Sequence, residues 1–315
     1  MGNTQTTFVA ENVSKQYANK LALDHFSVEI PSNCIFGLLG PNGAGKTSFI
    51  RIVNQITAPD DGKIYIKGEP LSPKHISLIG YLPEERGLYK KMGVGEQAMY
   101  LAQLKGLSKK EAKQQLDIWF EKFEITSWWN KKVEELSKGM AQKVQFITTV
   151  LHKPKIIILD EPFSGFDPIN TNLIKEEILR LKKEGATILL STHNMSSVEE
   201  ICDQIALLNN GKKILDGKVS DIKTQFSTNT YEIIIKGNML GFANALWGGF
   251  EILDKEVIEN DLAKITIKLA ENITPNHLLK EILELCEIRG IKEVVPSMNE
   301  IFITSVNQSN AKNNG

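Results

Sequence analysis

The chain carries, at residues 40–47, the stretch Gly40-Pro41-Asn42-Gly43-Ala44-Gly45-Lys46-Thr47. A short apolar run precedes it at residues 34–39 and a helical pattern follows at residues 47–54, so we predict a strand, a loop and a helix. Glycines let backbone N–H groups turn inward around phosphate oxygens, and the start of a helix adds its dipole. The stretch therefore predicts a phosphate-binding loop, in which Lys46 contacts the β and γ phosphates and the Thr47 hydroxyl coordinates Mg²⁺. Ser48, the next residue, joins this set.

A second apolar run ends in two carboxylates. Residues 156–159 are Ile-Ile-Ile-Leu, and Asp160 and Glu161 follow them directly. In open α/β sheets, the carboxyl end of a buried strand faces the crevice where ligands bind. Asp160 is therefore suited to hold Mg²⁺ through its water shell, and Glu161 is placed to polarise a water that attacks the γ-phosphate.

The order of strands and helices predicts an α/β protein. Short apolar strands alternate with helices on both sides of a helical stretch at residues 94–151, which indicates a parallel-sheet core with an inserted helical subdomain. Two strands within residues 8–30 add an antiparallel β piece. We predict that this nucleotide-binding domain covers residues 1–225.

Beyond residue 225 the pattern is that of a small α+β domain. Strand, helix, two strands, helix and strand follow one another over residues 226–306, with the helices predicted at residues 240–247 and 277–288. This βαββαβ order predicts a ferredoxin-like fold. Residues 307–315 are polar, and we predict a disordered tail there.

Composition excludes several classes of protein. The 315 residues include 37 basic and 38 acidic side chains, so no overall charge draws the chain to nucleic acid or anionic lipid. No apolar stretch is long enough to cross a bilayer, so we expect a soluble chain that acts at a membrane only through a partner. Three scattered cysteines are typical of a reducing cytosol rather than of a disulfide scaffold.

Further short motifs carry a family resemblance. They are Tyr17, Leu136-Ser137-Lys138-Gly139-Met140, Ser164-Gly165-Phe166-Asp167 and Thr192-His193. With the phosphate-binding loop and the two carboxylates, they resemble the motifs of an ABC-type ATPase over residues 8–225, in the order of that family. The four would correspond to the aromatic residue that stacks on adenine, the signature loop, the D-loop and the switch histidine.

The resemblance implies ATP and Mg²⁺ as cofactors and an ATPase that hydrolyses ATP to ADP and phosphate. Two copies of the chain would pair head to tail as a homodimer, with each ATP between one P-loop and the partner copy's signature loop. There the Ser137 hydroxyl and the Gly139 N–H would cap the γ-phosphate, since a helix start without negative charge suits phosphate. Tyr17 would stack on the base, and His193 would assist Glu161 in catalysis.

Three positions depart from the family pattern. Lys138 and Met140 stand where the family usually has Gly and Gln, and Glu84 stands where it typically has a Gln that contacts Mg²⁺ and the attacking water. The Glu84 carboxylate can still bind a cation, so we group it with Thr47 and Asp160 as the metal-binding residues. The chemically critical Ser137 and Gly139 are present.

These variants, Gly87-Leu88-Tyr89 and the small C-terminal domain resemble the ATP-binding subunits of ABC-2-type exporters, in particular the sodium-efflux and drug-export groups. The resemblance implies a cytoplasmic subunit, peripheral at the inner face of the cell membrane, that powers a separate integral-membrane permease. We expect a docking groove around Pro83–Met92, where Leu88, Tyr89 and Met92 receive a permease helix. Local core packing is the alternative role for these three side chains.

Other functions of this ATPase class are less compatible with the chain. A soluble ABC ATPase that acts on nucleic acid or ribosomes is the main alternative, but its translation-factor members carry two cassettes, its chromosome members a long coiled coil and its excision-repair members zinc-binding cysteines. This chain has one P-loop, no heptads and no such cysteines. A GTPase or small-molecule kinase would leave the signature loop unexplained, and no Asn-Lys-x-Asp motif reads guanine here.

Overall fold

A computed structural model describes residues 6–85, 87–237, 242, 249–259 and 261–313. The chain divides into two compact units. The larger unit runs to Val219 and also includes the residues from Phe302 onward, while the smaller unit covers Ser220–Ile301. In the described parts of the chain, no helix has the length and apolar character needed to span a bilayer.

The described strands are β1 (Thr6–Tyr17), β2 (Lys20–Pro31), β3 (Ile35–Leu39), β4 (Asp61–Ile66), β5 (Glu69–Pro70), β6 (Ile79–Leu82), β7 (Ile156–Asp160), β8 (Thr187–Ser191), β9 (Gln204–Asn209), β10 (Lys212–Lys218), β11 (Thr230–Gly237), β12 (Phe250–Glu259), β13 (Leu262–Leu269) and β14 (Cys286–Glu293). The described α-helices are α1 (Lys46–Val53), α2 (Val94–Leu104), α3 (Lys109–Lys122), α4 (Lys138–Val150), α5 (Pro168–Lys183), α6 (Met195–Ile201), α7 (Val219–Gln225), α8 (Pro275–Ile282) and α9 (Met298–Asn313). Short 3₁₀ helices cover Pro73–Leu78, Thr126–Trp128 and Val133–Glu135.

The larger unit is built on a six-stranded sheet in the order β10-β9-β3-β8-β7-β6. Neighbouring strands are parallel except in the hairpin of β9 and β10. β3, β7 and β8 are buried along their whole length, as expected for strands covered on both faces. The predicted parallel-sheet core is confirmed, and it brings the ends of β3 and β7 to one edge of the sheet.

A second, antiparallel sheet has the order β2-β1-β4-β5 and confirms the predicted antiparallel piece. It is joined to α1 by aromatic packing. The ring of Phe49 on α1 lies edge-on to Phe26 of β2, with centroids 4.9 Å apart, and to Phe8 of β1, at 5.8 Å. Such edge-to-face pairs stabilise a fold by more than the burial of their apolar surface alone. They hold α1, and with it the loop that precedes α1, against this sheet.

Helices α2, α3 and α4 form the helical part of the larger unit. On α3 and at its end, Leu116, Trp119, Phe120 and Phe123 recur at helical spacing and are all buried. The rings of Trp119 and Phe123 lie 6.4 and 6.0 Å from that of Phe146 on α4. This aromatic stripe is therefore the core between α3 and α4.

The smaller unit contains a four-stranded antiparallel sheet in the order β12-β13-β11-β14. Its fourth, first, third and second strands thus lie side by side, which is the ferredoxin-like arrangement that the βαββαβ order predicts. Ile233, Ile265 and Leu278 lie in its core. The first predicted helix, at residues 240–247, lies outside the described residues except for Phe242, which is buried.

The second predicted helix of this unit is too long. We predicted residues 277–288, but α8 ends at Ile282 and Cys286 already begins β14. Cys286 and Ile288 fit a helical period continued from α8, and they equally fit the alternation of a strand. Residues 286–293 form a strand rather than a helix because they pair with β11, where Ile233 lies opposite Ile291.

The predicted disordered tail at residues 307–315 is also wrong as far as Asn313, because α9 continues to that residue. This segment is ordered by polar contacts that composition does not reveal: the Asn209 side-chain amide donates hydrogen bonds to Ser309 Oγ and Asn310 Oδ1. The boundary between the units also falls after Val219 rather than after residue 225, at the start of α7, and residues from Phe302 onward belong to the larger unit.

Candidate nucleotide-binding site

The loop before α1 has the backbone of a phosphate cradle. Gly45 caps α1 with φ 116° and no side-chain hydrogen bond, so the first N–H groups of the helix are available to a ligand. A Cβ at Gly45 would lie 2.3 Å from the Ala22 carbonyl oxygen, and one at Gly40 would lie 2.4 Å from that of Leu208. The two glycines are therefore required by both backbone conformation and space.

Lys46 is buried and its ammonium is held inside the loop. Its Nζ donates to the Gly40 carbonyl at 2.6 Å and to the Pro41 carbonyl at 3.1 Å. Burial lowers the pKa of this ammonium, and the negative charges of Glu161 and Asp160 oppose the shift. The side chain is thus oriented by its own loop toward a site that also contains carboxylates.

A cleft of about 420 Å³ brings most of the predicted site residues together. It is lined by Tyr17, Asn42, Gly43, Gly45, Lys46, Thr47, Ser48, Glu84, Asp160, Glu161 and His193, together with Lys20 and Ala22. Residues separated by more than a hundred positions in the chain therefore share one cavity. Gly40, Pro41 and Ala44 belong to the loop, and the Pro41 carbonyl accepts the Ala44 N–H at 3.1 Å.

Glu161 is fixed at the end of β7 by the loop after β8. Its φ is 48°, a left-handed conformation that is uncommon outside glycine and is found at functional sites. Its N–H donates to the Ser191 carbonyl at 2.9 Å. One carboxylate oxygen lies 2.7 Å from His193 Nδ1. The other accepts a hydrogen bond from the Thr192 hydroxyl at 3.2 Å. The carboxylate therefore has a defined direction.

Asp160 is the most deeply buried acid of the cleft. Burial raises the pKa of its carboxyl to about 6, and the charges of Glu84 and Glu161 act in the same direction. Lys46 and the Ser191 hydroxyl lower it, but less. Its Oδ2 atom is buried and makes no hydrogen bond in the structure. Such an acceptor calls for a cation or a donor that arrives with the ligand.

These observations fit a magnesium ion that binds with its nucleotide. In the described part of the chain, no three His, Cys, Asp or Glu side chains are close enough to hold a metal by themselves. Mg²⁺ typically keeps several waters and binds through one or two carboxylates plus substrate phosphates. The free Oδ2 of Asp160, with Thr47 and Glu84 lining the same cleft, provides that kind of partial shell.

Ser137 and Gly139 are not among the described residues that line the cleft. Ser137 instead caps α4, where its Oγ accepts the Met140 N–H at 3.3 Å. The signature loop packs beside the predicted D-loop: Lys138 Nζ donates to Ser164 Oγ at 3.3 Å, and a Cβ on Gly139 would lie 3.3 Å from the Gly165 carbonyl oxygen. Ser137 itself is exposed.

Lys20 is a cleft residue that sequence reasoning missed. It is the cross-strand partner of Tyr17 in the tight turn between β1 and β2, and both side chains line the cleft. Its Nζ is 2.9 Å from where a Cβ of Gly43 would be. The signal was the spacing to Tyr17: a two-residue hairpin loop makes residues 17 and 20 direct neighbours on one face.

A second, larger cleft of about 670 Å³ lies between the helical part and the six-stranded sheet of the larger unit. Among its lining residues are Pro83, Leu88, Leu101 and Leu104. Leu104 is 63% exposed, although it is an apolar residue at the end of a helix. Tyr89 and Met92, which we grouped with Leu88 from the sequence, do not line this cleft, and Tyr89 is 58% exposed.

The fold and the cleft together define a P-loop protein of the ATP-binding-cassette class. Comparison with known proteins is consistent with this class: residues 23–164 match the family model "ABC transporter", and residues 217–306 match "ATP-binding protein DrrA1-3-like, C-terminal domain". A solved ATP-binding subunit of an ABC transporter superposes with a TM-score of 0.66 at 31% identity, over 70% of this chain and 93% of the other.

Curated relatives show the family. The chain is 48% identical over 223 residues to YhaQ, an uncharacterized ABC transporter ATP-binding protein of Bacillus subtilis, covering 71% of this chain and 75% of the relative. It is 37% identical to BpOF4_11395 of Alkalihalophilus pseudofirmus, over 85% and 98%, and 29% identical to the linearmycin resistance protein LnrL of B. subtilis, over 93% and 96%. The protein belongs to the ATP-binding subunits of ABC transporters, and membership of this family implies that it hydrolyses ATP.

Proposed function

We propose that this protein is the ATP-hydrolysing subunit of an ABC-2-type exporter. Binding of ATP would close a homodimer of this subunit, and hydrolysis would let the two copies separate. The observation that supports this proposal best is the division of the site. The cleft contains the P-loop, both carboxylates and His193, whereas Ser137 and Gly139 do not line it. A second copy, turned head to tail, would supply the missing half.

In this mechanism each residue of the cleft has one task. Lys46, the free N–H groups at the start of α1 and the Thr47 hydroxyl hold the phosphates of ATP, and Tyr17 stacks on adenine. Lys20 adds a second positive charge beside Gly43. Mg²⁺, held by Asp160, Thr47 and Glu84, would neutralise the developing charge on the phosphates. The partner copy's Ser137 and Gly139 would close over the γ-phosphate.

Glu161 is the proposed general base. Its carboxylate is held toward the loop after β8 by His193 and Thr192, so little reorganisation is needed when a water binds between it and the γ-phosphate. The exposed His193 contacts Glu161 from the rim of the cleft, where a partner copy would meet it. We propose that His193 keeps the carboxylate oriented and contacts the γ-phosphate side of the closed site.

The head-to-tail dimer is tested by complementation of two inactive variants. Lys46→Ala damages the P-loop half of the site, and Gly139→Asp places a carboxylate against the partner's phosphate. Each alone should have little ATPase activity, because both sites of its dimer are damaged. An equal mixture should recover on the order of a quarter of the activity of the unmodified chain, since half of randomly formed dimers would contain one intact site.

The matched control mixes Lys46→Ala with Glu161→Gln. Both lesions lie in the same half of the site, so this mixture should stay inactive. Phosphate release in the first mixture that does not exceed the sum of its two components would reject the shared site.

The larger cleft supports docking of a membrane partner. It is open and lined by Leu88, Leu101 and Leu104, and exposed apolar surface of this kind marks interaction sites. We propose that it receives a helix from the cytoplasmic side of a permease, which would make this subunit cytoplasmic and peripheral to the membrane. LptB of Haemophilus influenzae, 35% identical over 66% of this chain, is named as part of a lipopolysaccharide export system, and this supports an export role.

Leu104→Asp is expected to weaken copurification with a permease encoded beside this gene by about tenfold, because a carboxylate would be buried in an apolar contact. Leu88→Asp should act in the same way. The control is Ile56→Asp, since Ile56 is 61% exposed and lies outside this cleft. Equal recovery of the permease with all three variants, each folded by circular dichroism, would exclude this cleft as the docking site.

A further inference from the structure

The end of the C-terminal helix is hydrogen-bonded to the turn between β9 and β10. The side-chain amide of Asn209, a residue only 4% exposed, donates to Asn310 Oδ1 at 2.8 Å and to Ser309 Oγ at 3.2 Å. Asn210 Nδ2 donates to the same Asn310 oxygen at 3.5 Å. One oxygen of one exposed helix residue thus accepts from two successive residues of the turn. All of these residues belong to the larger unit.

The turn is hydrogen-bonded to the phosphate-binding loop. Asn210 and Gly211 have φ values of 49° and 79°, the pair of positive angles that a two-residue hairpin turn requires. The Gly211 N–H donates to the Ala44 carbonyl at 3.0 Å, and the Gly211 carbonyl accepts from the Asp24 N–H at 3.0 Å. The turn is therefore hydrogen-bonded to the phosphate-binding loop on one side and to β2 on the other.

The bond to Ala44 fixes a functional peptide plane. The carbonyl of Ala44 and the N–H of Gly45 belong to one planar trans peptide, in which they point in opposite directions. Gly45 lines the nucleotide cleft. Because Gly211 holds the Ala44 carbonyl at one edge of this peptide, the Gly45 N–H at the opposite edge is directed away from Gly211. Backbone N–H groups of this loop are the donors that a phosphate needs.

We propose that Asn310 is a positioning residue for the phosphate-binding loop, acting through Asn209, Asn210 and Gly211 on the Ala44–Gly45 peptide. The inference rests on the proposed nucleotide site and adds to it a role for the C-terminal helix. Coupling of this kind is reciprocal, so a nucleotide that orders the loop must also stabilise the docked end of α9 to the same extent. A purely structural contact would not respond to nucleotide.

The first test is the affinity for MgADP, measured by calorimetry on the full chain. Asn310→Ala removes the acceptor of two hydrogen bonds and is expected to weaken ADP binding about three- to tenfold. Asn310→Asp keeps an acceptor oxygen and should restore most of the affinity. Gln308→Ala, an exposed position on the same helix, is the matched control and should bind like the unmodified chain.

The second test is amide hydrogen exchange of the peptide that covers residues 304–313. MgADP is expected to slow its exchange in the unmodified chain and in Gln308→Ala, but not in Asn310→Ala. Suppose that the unmodified chain binds ADP. If Asn310→Ala then binds ADP as tightly as the unmodified chain, or if MgADP does not slow hydrogen exchange of residues 304–313 in the unmodified chain, this inference is wrong and the proposed function is unaffected. If the unmodified chain binds neither ADP nor ATP, both fail.

Discussion

Replacement of Lys46 by Ala should reduce the affinity for MgATP by about two orders of magnitude or more. The buried ammonium is the charged donor at the centre of the loop, and hydrogen bonds to charged groups contribute about 1.5–3 kcal/mol each. The substitution also leaves the carbonyl oxygens of Gly40 and Pro41 without the donor they have now. The lost charge and the lost hydrogen bonds within the loop therefore act in the same direction.

Isothermal titration with ATP and magnesium measures this effect directly. Lys63→Ala is the matched control, because it removes an equal charge at an exposed position on β4, outside the cleft. Unchanged affinity in Lys46→Ala would contradict the assignment of residues 40–47 as the phosphate site. A fall of similar size in Lys63→Ala would mean that overall charge, not the loop, controls binding.

Replacement of Glu161 by Gln should slow ATP turnover about 10²–10⁴-fold while ATP binding is retained, because that range is the usual contribution of general acid–base catalysis. An amide has nearly the shape of the carboxylate and can still accept the hydrogen bond from Thr192, but it cannot take a proton from water. The trapped ATP should also hold two chains together. Single-turnover phosphate release and light scattering with ATP and magnesium measure the two effects.

Glu176→Gln is the control for this variant, since Glu176 is an exposed acid on α5 outside the cleft. Phosphate release from Glu161→Gln at the rate of the unmodified chain would remove Glu161 from the role of base. A chain that retains ATP but stays monomeric, even with its membrane partner supplied, would instead contradict the proposed dimer.

Most residues of the candidate nucleotide site that the structure brings into one cleft could be predicted from the sequence, because their motifs are local. The glycines of the loop, Lys46 and Thr47 are fixed by spacing within eight residues, and Asp160 and Glu161 are marked by the end of a buried strand. The parallel core followed from short apolar strands alternating with helices. In such segments the local pattern and the tertiary fold agree.

The features that sequence reasoning missed depend on partners distant in the chain. Lys20 enters the cleft only because β1 and β2 pair with residues 17 and 20 opposite each other. The strand at Cys286–Glu293 follows from pairing with β11, and the order of residues 307–313 follows from bonds to Asn209, about one hundred positions earlier. A polar segment that is ordered by side-chain amides has the composition of a disordered one.

The cap that Ser137 provides to α4 has a consequence for the γ-phosphate contact that we propose for this residue. A hydroxyl has two lone pairs and a single proton, and the Met140 N–H occupies only one of the lone pairs. In the proposed dimer the proton would stay available for a phosphate oxygen bound by the facing chain, so the helix would not need to fray for that contact to form. The two roles would then not compete, because the bond from the Met140 N–H already holds the Ser137 oxygen in place.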